Sequence, residues 1–179
     1  MTEVAGSYAL ALYELAKEED QSCEILSQLK AVEAVCSNEP DFFRLMSIRS
    51  IALQERLSIL DDCFRDKIHP YVLNFLKILT EKGVFGKLSS CVKAYTEHYN
   101  RDHGIVEVLA VTAVALPEEQ LGRLRQKLEA ITGKTVELKN RIDTNCLGGV
   151  RLDYDGKRFD GTVQNRLERI RKQLNNTVL

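Results

Sequence analysis

Residues His103 to Glu119, HGIVEVLAVTAVALPEE, mark the point where the pattern of this chain changes. Upstream, apolar residues recur at helical spacing from about residue 3 to residue 100. From Ile105 to Ala115 the run is Ile, Val, Leu, Ala and Thr apart from Glu107, which predicts a β-strand. Leu116-Pro117-Glu118-Glu119 then opens a helix. Pro117 has no N–H to leave unpaired near a helix start, and the two acids suit its positive N-terminal pole. Strand followed by helix, after nothing but helices, predicts two architectures in one chain.

The upstream part reads as six helices. Ser7 to Lys17 carries Tyr8, Ala11, Leu12 and Leu15 at helical spacing, and Cys23 to Cys36 carries Ile25, Leu26, Leu29, Val32 and Val35. Asp41 to Met46 predicts a short helix after Pro40. Ser50 to Phe64 predicts a fourth. Pro70 opens a fifth that runs to about Lys82 and stops at Gly83, a residue suited to a left-handed C-terminal position. Gly86 to Asn100 predicts the sixth. Short connections between six helices imply an antiparallel bundle.

Downstream, the second helix signal ends at Thr132-Gly133. Thr135 to Ile142 alternates apolar and polar residues and predicts a strand. Gly149 to Tyr154 and Lys157 to Phe159 flank Asp155-Gly156, a tight hairpin signal. Val163, Leu167, Ile170 and Leu174 lie at i, i+4, i+7 and i+11, so a terminal amphipathic helix is expected. The fold class is therefore α+β: a six-helix antiparallel bundle over residues 1–104, then a small α/β domain with a short sheet and a terminal helix over 105–179.

With 179 residues and a net charge of -1, the chain shows no basic excess of the kind nucleic-acid binding needs. The five cysteines, Cys23, Cys36, Cys63, Cys91 and Cys146, are odd in number, widely spaced and lack a CxxC pair. That argues against a disulfide framework or a zinc site and for a reducing cytosol. No apolar run approaches the roughly 20 residues a membrane-spanning helix needs, and the N-terminus has no secretory or import pattern. Membrane attachment would have to run through partners.

Three chemical motifs fail on their spacing. Gly133-Lys134-Thr135 ends like a phosphate-binding loop, but position 128 is Leu where that loop needs Gly. Asp153 to Gly156 opens like a calcium loop, yet Arg158 and Gln164 stand where Gly and Glu are required. His98 and His103, five residues apart, do not share a helix face the way ligands three or four apart do, and Cys91 lies about two turns from His98. No catalytic residue, metal ligand, cofactor or small-molecule substrate is expected, and an enzyme built on Cys91, His98 or His103 would need a deep pocket among them.

Two helices are apolar over too much of their circumference. At about 100° per residue, Val4, Leu15, Tyr8, Leu12, Ala5, Ala16, Ala9 and Tyr13 fill an arc of roughly 180°, extended by Ala11. Tyr71, Phe75, Leu79, Val72, Leu76 and Leu73 cover about 200° of the fifth helix, with Ile78 at one edge. A surface helix needs little more than about 100°. Either both helices are central in the bundle, or each faces the core with one flank and a partner with the other.

The same segments resemble the ATP synthase delta subunit family, whose mitochondrial relative confers oligomycin sensitivity. Tyr8-Ala9-Leu10-Ala11-Leu12-Tyr13-Glu14-Leu15-Ala16 resembles the family's first helix, and Asn74 to Gly83 its fifth. Thr112-Ala113, Leu116, Gln120, Leu121, Leu128, Thr132-Gly133-Lys134 and Ile142-Asp143 follow its second half. So do Leu147-Gly148-Gly149-Val150 and Asp160-Gly161-Thr162-Val163. Gly6-Ser7 and Val84-Phe85 depart from its common pattern.

The resemblance implies a non-catalytic linker of the F-type ATP synthase peripheral stalk, held at the cytoplasmic side of the cell membrane by its complex. It implies that a groove between helices one and five binds the N-terminal helix of an alpha subunit. It also implies that the C-terminal part contacts the C-terminal region of the b subunit, so that the head resists rotor torque. On the helical wheel the groove residues are Ala5, Ala9, Tyr13, Val72, Leu73 and Leu76, although the wheel leaves open which flank faces the core. Val163, Leu167, Ile170 and Leu174 are the b-subunit candidates. A generic helical adaptor outside ATP synthase is the alternative.

Overall fold

The computed structural model describes residues 3–48, 51–144, 146, 148–154, 156–163, 165 and 167. The chain divides into two compact units, Met1–Asn100 and Arg101–Leu179.

The first unit is helical. Its helices are α1 (Glu3–Glu18), α2 (Ser22–Asn38), α3 (Pro40–Ser47), α4 (Leu53–Phe64) and α5 (Pro70–Glu81). A 3-10 turn (Phe85–Lys87) then leads into α6 (Leu88–Asp102). Each boundary has a local cause. Helix α1 stops where Asp20 takes a left-handed φ of 55°. The Gln21 N–H then reaches back to the Ala16 carbonyl at 2.8 Å and the Asp20 N–H to Lys17 at 3.2 Å. That pairing closes a helix end and is usually built on glycine. Gly83 does the same for α5, with φ 66° and the Val84 N–H donating to the Leu79 carbonyl at 2.9 Å. Pro40 and Pro70 occupy first-turn positions of α3 and α5, where a missing N–H costs nothing. His69 caps α5, its Nδ1 accepting from the Tyr71 N–H.

The core of this unit is built from Ile25, Leu29, Leu60, Leu76, Leu79 and Tyr95 with their neighbours. Tyr95 packs edge-on against Tyr13 at 5.3 Å and donates its hydroxyl to the Ser22 carbonyl, so α6 is pinned to the start of α2. Arg56 is buried on α4 and donates to the Met46 carbonyl at 3.0 Å. A cation there meets the negative, carbonyl-rich end of α3.

The second unit contains β1 (Ile105–Thr112), α7 (Glu118–Thr132), β2 (Thr135–Ile142), β3 (Val150–Tyr154) and β4 (Lys157–Asp160). Strand order is β2-β1-β3-β4. Strand β1 pairs parallel with β2, Val106 opposite Val136, because α7 carries the chain back across. It pairs antiparallel with β3, and β3 forms the expected hairpin with β4, Tyr154 opposite Lys157. Val106, Val108 and Val136 are buried on one face, with Leu128 of α7 packed against them. The predicted strand through Ala115 stops three residues early. Thr112 donates its hydroxyl to the Val114 carbonyl, and Asn140 on β2 accepts from the Leu116 N–H, which turns the chain towards α7.

The double glycine has a steric reason. Gly149 has φ 86°, and a Cβ there would lie 2.6 Å from the Gly161 carbonyl oxygen. The same approach lets the Gly161 N–H donate to Val150 and the Val163 N–H to Gly148. Thr162 is buried, and its hydroxyl both donates to Asp160 and accepts from the Asn165 N–H, capping a helical start at Val163. Val163, Asn165 and Leu167 are helical.

Candidate docking surfaces

Cys91 is buried in α6, and burial pushes its thiol up to about 11, far from the thiolate form a nucleophile needs. His98 stacks on Tyr13 at 5.9 Å as part of the α1–α6 packing. His103 is exposed. Among the described residues, no group of three His, Cys, Asp or Glu side chains is placed to hold a metal ion.

The overlarge apolar arcs of α1 and α5 resolve into two flanks each. Ala5, Ala9, Tyr13, Val72, Leu73 and Leu76 are all buried, none more than 8% exposed. These six expected groove residues are core, and the protein's own side chains fill the trough expected at them. The physical reason is size. Ala5, Ala9 and Ala16 let α1 approach its neighbours closely, so the alanine face is the one that packs inward.

The other flank of α1 is the free one. Val4, Tyr8, Ala11 and Leu15 recur at i, i+4, i+7 and i+11, within about 60° of one another. Val4 is 44% and Leu15 39% exposed, Ala11 is exposed, and Tyr8 is half-buried against the core. On α5, Tyr71 and Ile78 hold the equivalent edge seven residues apart; Ile78 is 41% exposed.

One hydrogen bond joins the two flanks. The Tyr71 hydroxyl donates to the Glu19 carboxylate. Glu19 directly follows α1 and continues its Tyr8–Leu15 side. The bond to Glu19, followed by burial, raises the Tyr71 phenol above its ordinary value. The open apolar side of α5 thus meets that of α1 at the C-terminal end of α1. Tyr8, Leu15 and Ile78 lay inside the arcs drawn from sequence but were not chosen there. Their i, i+4, i+7, i+11 spacing and greater bulk than the alanines were the available signals. Glu19 carried no sequence signal, because only the fold brings it to Tyr71.

In the second unit, Val163 and Leu167 are exposed. Ile170 and Leu174 lie outside the described residues. Further exposed apolar side chains accompany them: Val114, Ile131, Ile142 and Phe159, with Ile131 reaching 80%. None of these was singled out from sequence. Helix α7 buries none of its residues fully.

Comparison with known proteins gives these surfaces a setting. Residues 4–174 match the family profile described as ATP synthase delta (OSCP) subunit. The chain is 33% identical over 171 residues to ATP synthase subunit delta of Alkaliphilus oremlandii, covering 96% of this chain and 95% of that protein. It is 31% identical over 172 residues to the subunit of the same name from Lacticaseibacillus casei, covering 96% and 94%. Among solved structures, a chain of the Toxoplasma gondii mitochondrial ATP synthase hexamer shares the fold at TM-score 0.78. At 21% identity, that likeness spans 97% of this chain and 98% of the other. A profile match over nearly the full length displaces the generic-adaptor alternative: the chain belongs to the ATP synthase delta (OSCP) subunit family.

Proposed function

We propose that this subunit is the non-catalytic link of an F-type ATP synthase peripheral stalk, tying the catalytic head to the b-subunit stator. In this reading the first unit, with its boundary near residue 104, receives the N-terminal helix of an alpha subunit on the flank formed by Tyr8, Ala11, Leu15, Tyr71 and Ile78. The second unit receives the C-terminal region of the b subunit on the stripe that begins with Val163 and Leu167. The complex holds the chain at the cytoplasmic side of the cell membrane. Among the described residues, no helix is long and apolar enough to cross a membrane.

The observation that carries the reading is the apolar flank left open beside a filled core. A bundle whose alanine face is buried has no internal use for Val4, Leu15 and Ile78 at the surface. An amphipathic helix laid along such a flank is a common mode of recognition. Its apolar burial contributes about 25 cal/mol per Å2, from which the costs of association are subtracted. Torque resistance follows from slow dissociation, and no bond needs to be made or broken.

Titration with a peptide spanning the alpha-subunit N-terminus tests this. Leu15→Asp and Ile78→Asp should abolish binding while the circular dichroism spectrum stays native. Native-like binding by both variants would overturn the assignment. Removal of residues 160–179 should cost b-subunit binding and leave alpha binding intact; loss of both would contradict two separate sites.

A further inference from the structure

The open flank has charge as well as apolar surface. Glu18 and Glu14 lie about 20° and 60° beyond Ala11 on the wheel, on the outer rim of the flank, and both are exposed. Glu19 and Asp20 follow at once, so four acids gather where α1 ends. A helix C-terminus already carries a partial negative charge, and carboxylates there are unfavourable for the helix itself. The chain thus bears a local electrostatic cost, which the Tyr71 hydroxyl relieves at Glu19.

Among the described residues, no salt bridge joins a cation to Glu14, Glu18, Glu19 or Asp20. Lys17 is the basic residue of the last turn of α1, but it projects about 200° away from Leu15, on the opposite side. On α5, Lys77 is held by Asp61 at 2.6 Å. Lys82 lies at the C-terminal end of α5, eleven residues from the Tyr71–Glu19 junction, or about 16 Å along a helix. The C-terminal end of α5 has Glu81 beside Lys82. The end at Leu15 and Tyr71 is acidic.

We infer that the helix received on this flank is basic at the end that lies over Leu15 and Tyr71, where its Lys or Arg side chains face Glu14, Glu18 and the negative pole of α1. The inference rests on the docking reading above and adds the polarity of the partner: charge fixes which way along the flank the helix lies, and apolar contact supplies the affinity. Electrostatic complementarity of this kind sets orientation and association rate more than total affinity.

The test uses the full-length chain and the alpha-subunit N-terminal peptide, measured by calorimetry from 20 mM to 500 mM salt. Affinity of the native chain should fall as salt rises. The double substitution Glu14→Gln, Glu18→Gln should weaken binding about three- to tenfold at low salt, as expected for two exposed ion pairs, and should flatten the salt dependence. Glu14→Lys with Glu18→Lys should weaken it further. A peptide whose basic residues are changed to Gln should bind the native chain and the Gln double variant equally. If the native chain binds the peptide with an affinity indifferent to salt and to all four substitutions, the inference fails and the docking reading stands. If the native chain does not bind the peptide at all, the docking reading itself fails.

Discussion

The two units of this protein solve the problem of apolar surface differently. The helical unit encloses a continuous core to which every one of its helices contributes, with Ile25, Leu29, Leu76, Leu79 and Tyr95 close to fully inaccessible. The sheet unit buries Val106, Val108 and Val136 under a helix that has no fully buried residue of its own. It leaves Val114, Ile131, Ile142 and Phe159 open. The first unit keeps the apolar flank of α1 and α5 beside a finished core, with Leu10, Val35, Ile48 and Leu53 exposed elsewhere on it. The second spreads its exposed apolar residues over several elements. A filled core makes a rigid support for one defined contact, because close-packed interiors transmit load rather than yield to it. An underfilled unit gains stability from whatever covers it.

The contrast can be broken most forcefully at Ala9. Placing a carboxylate on this fully buried residue, Ala9→Glu, should unfold the helical unit, since an unpaired buried charge costs several kcal/mol at least. Loss of the unit's helical circular dichroism checks it, and a native spectrum would put Ala9 on the surface. Next in size, Leu76→Ala should cost the same unit about 2–5 kcal/mol in urea denaturation, and leave the sheet unit's transition in place. In the sheet unit, Gly149→Ala should destabilise by about 1–3 kcal/mol or more, because the backbone is left-handed and the Gly161 carbonyl is in the way. The smallest effect is expected at Ile131→Ser. At 80% exposure its stability change should stay within about 0.5 kcal/mol, while self-association at high concentration falls. A large loss there would show that α7 depends on Ile131 and that the sheet unit is better filled than its burial indicates.

Acid acts on both units in the same direction. Two hydrogen bonds from Thr162 hold the Asp160 carboxyl below its ordinary value of 3.8. A carboxyl depressed in the folded state contributes stability above its unfolded pKa and loses it as pH falls through the folded one. Below about pH 4 the cap at Thr162 should therefore weaken. Asp61 in the helical unit behaves in the same direction, through its hydrogen bond to Lys77. Amide exchange near residues 160–165 compared with α4 would show which unit opens first.

Much of this architecture was legible in the sequence because it is written in local patterns. Pro40, Pro70, Gly83 and Gly133 punctuate helices wherever they occur, and the change of period at Ile105 announces a strand whatever its neighbours are. The end of β1 was misplaced because Ala113, Val114 and Ala115 have strand composition. What turns the chain there is a side chain 24 residues away, Asn140, which no local window contains. The start of α4 was placed early for a similar reason, since Ile51 fits its period and yet the helix begins at Leu53.

The sequence by itself determined that α1 and α5 are apolar over more of their surface than one contact uses. It also determined that the chain resembles the family in its order of glycine pair, hairpin, Asp-Gly and expected terminal amphipathic helix. Periodicity and backbone sterics act within a few residues and need no partner to be read. Only the tertiary structure decided that the alanine flank is the buried one. A wheel has no origin, and the side that faces inward is set by which neighbours can close upon it. Small residues admit a closer approach, so Ala5, Ala9 and Ala16 went to the core, and Val4, Ala11 and Leu15 were left at the surface with Tyr8 half-buried beside them.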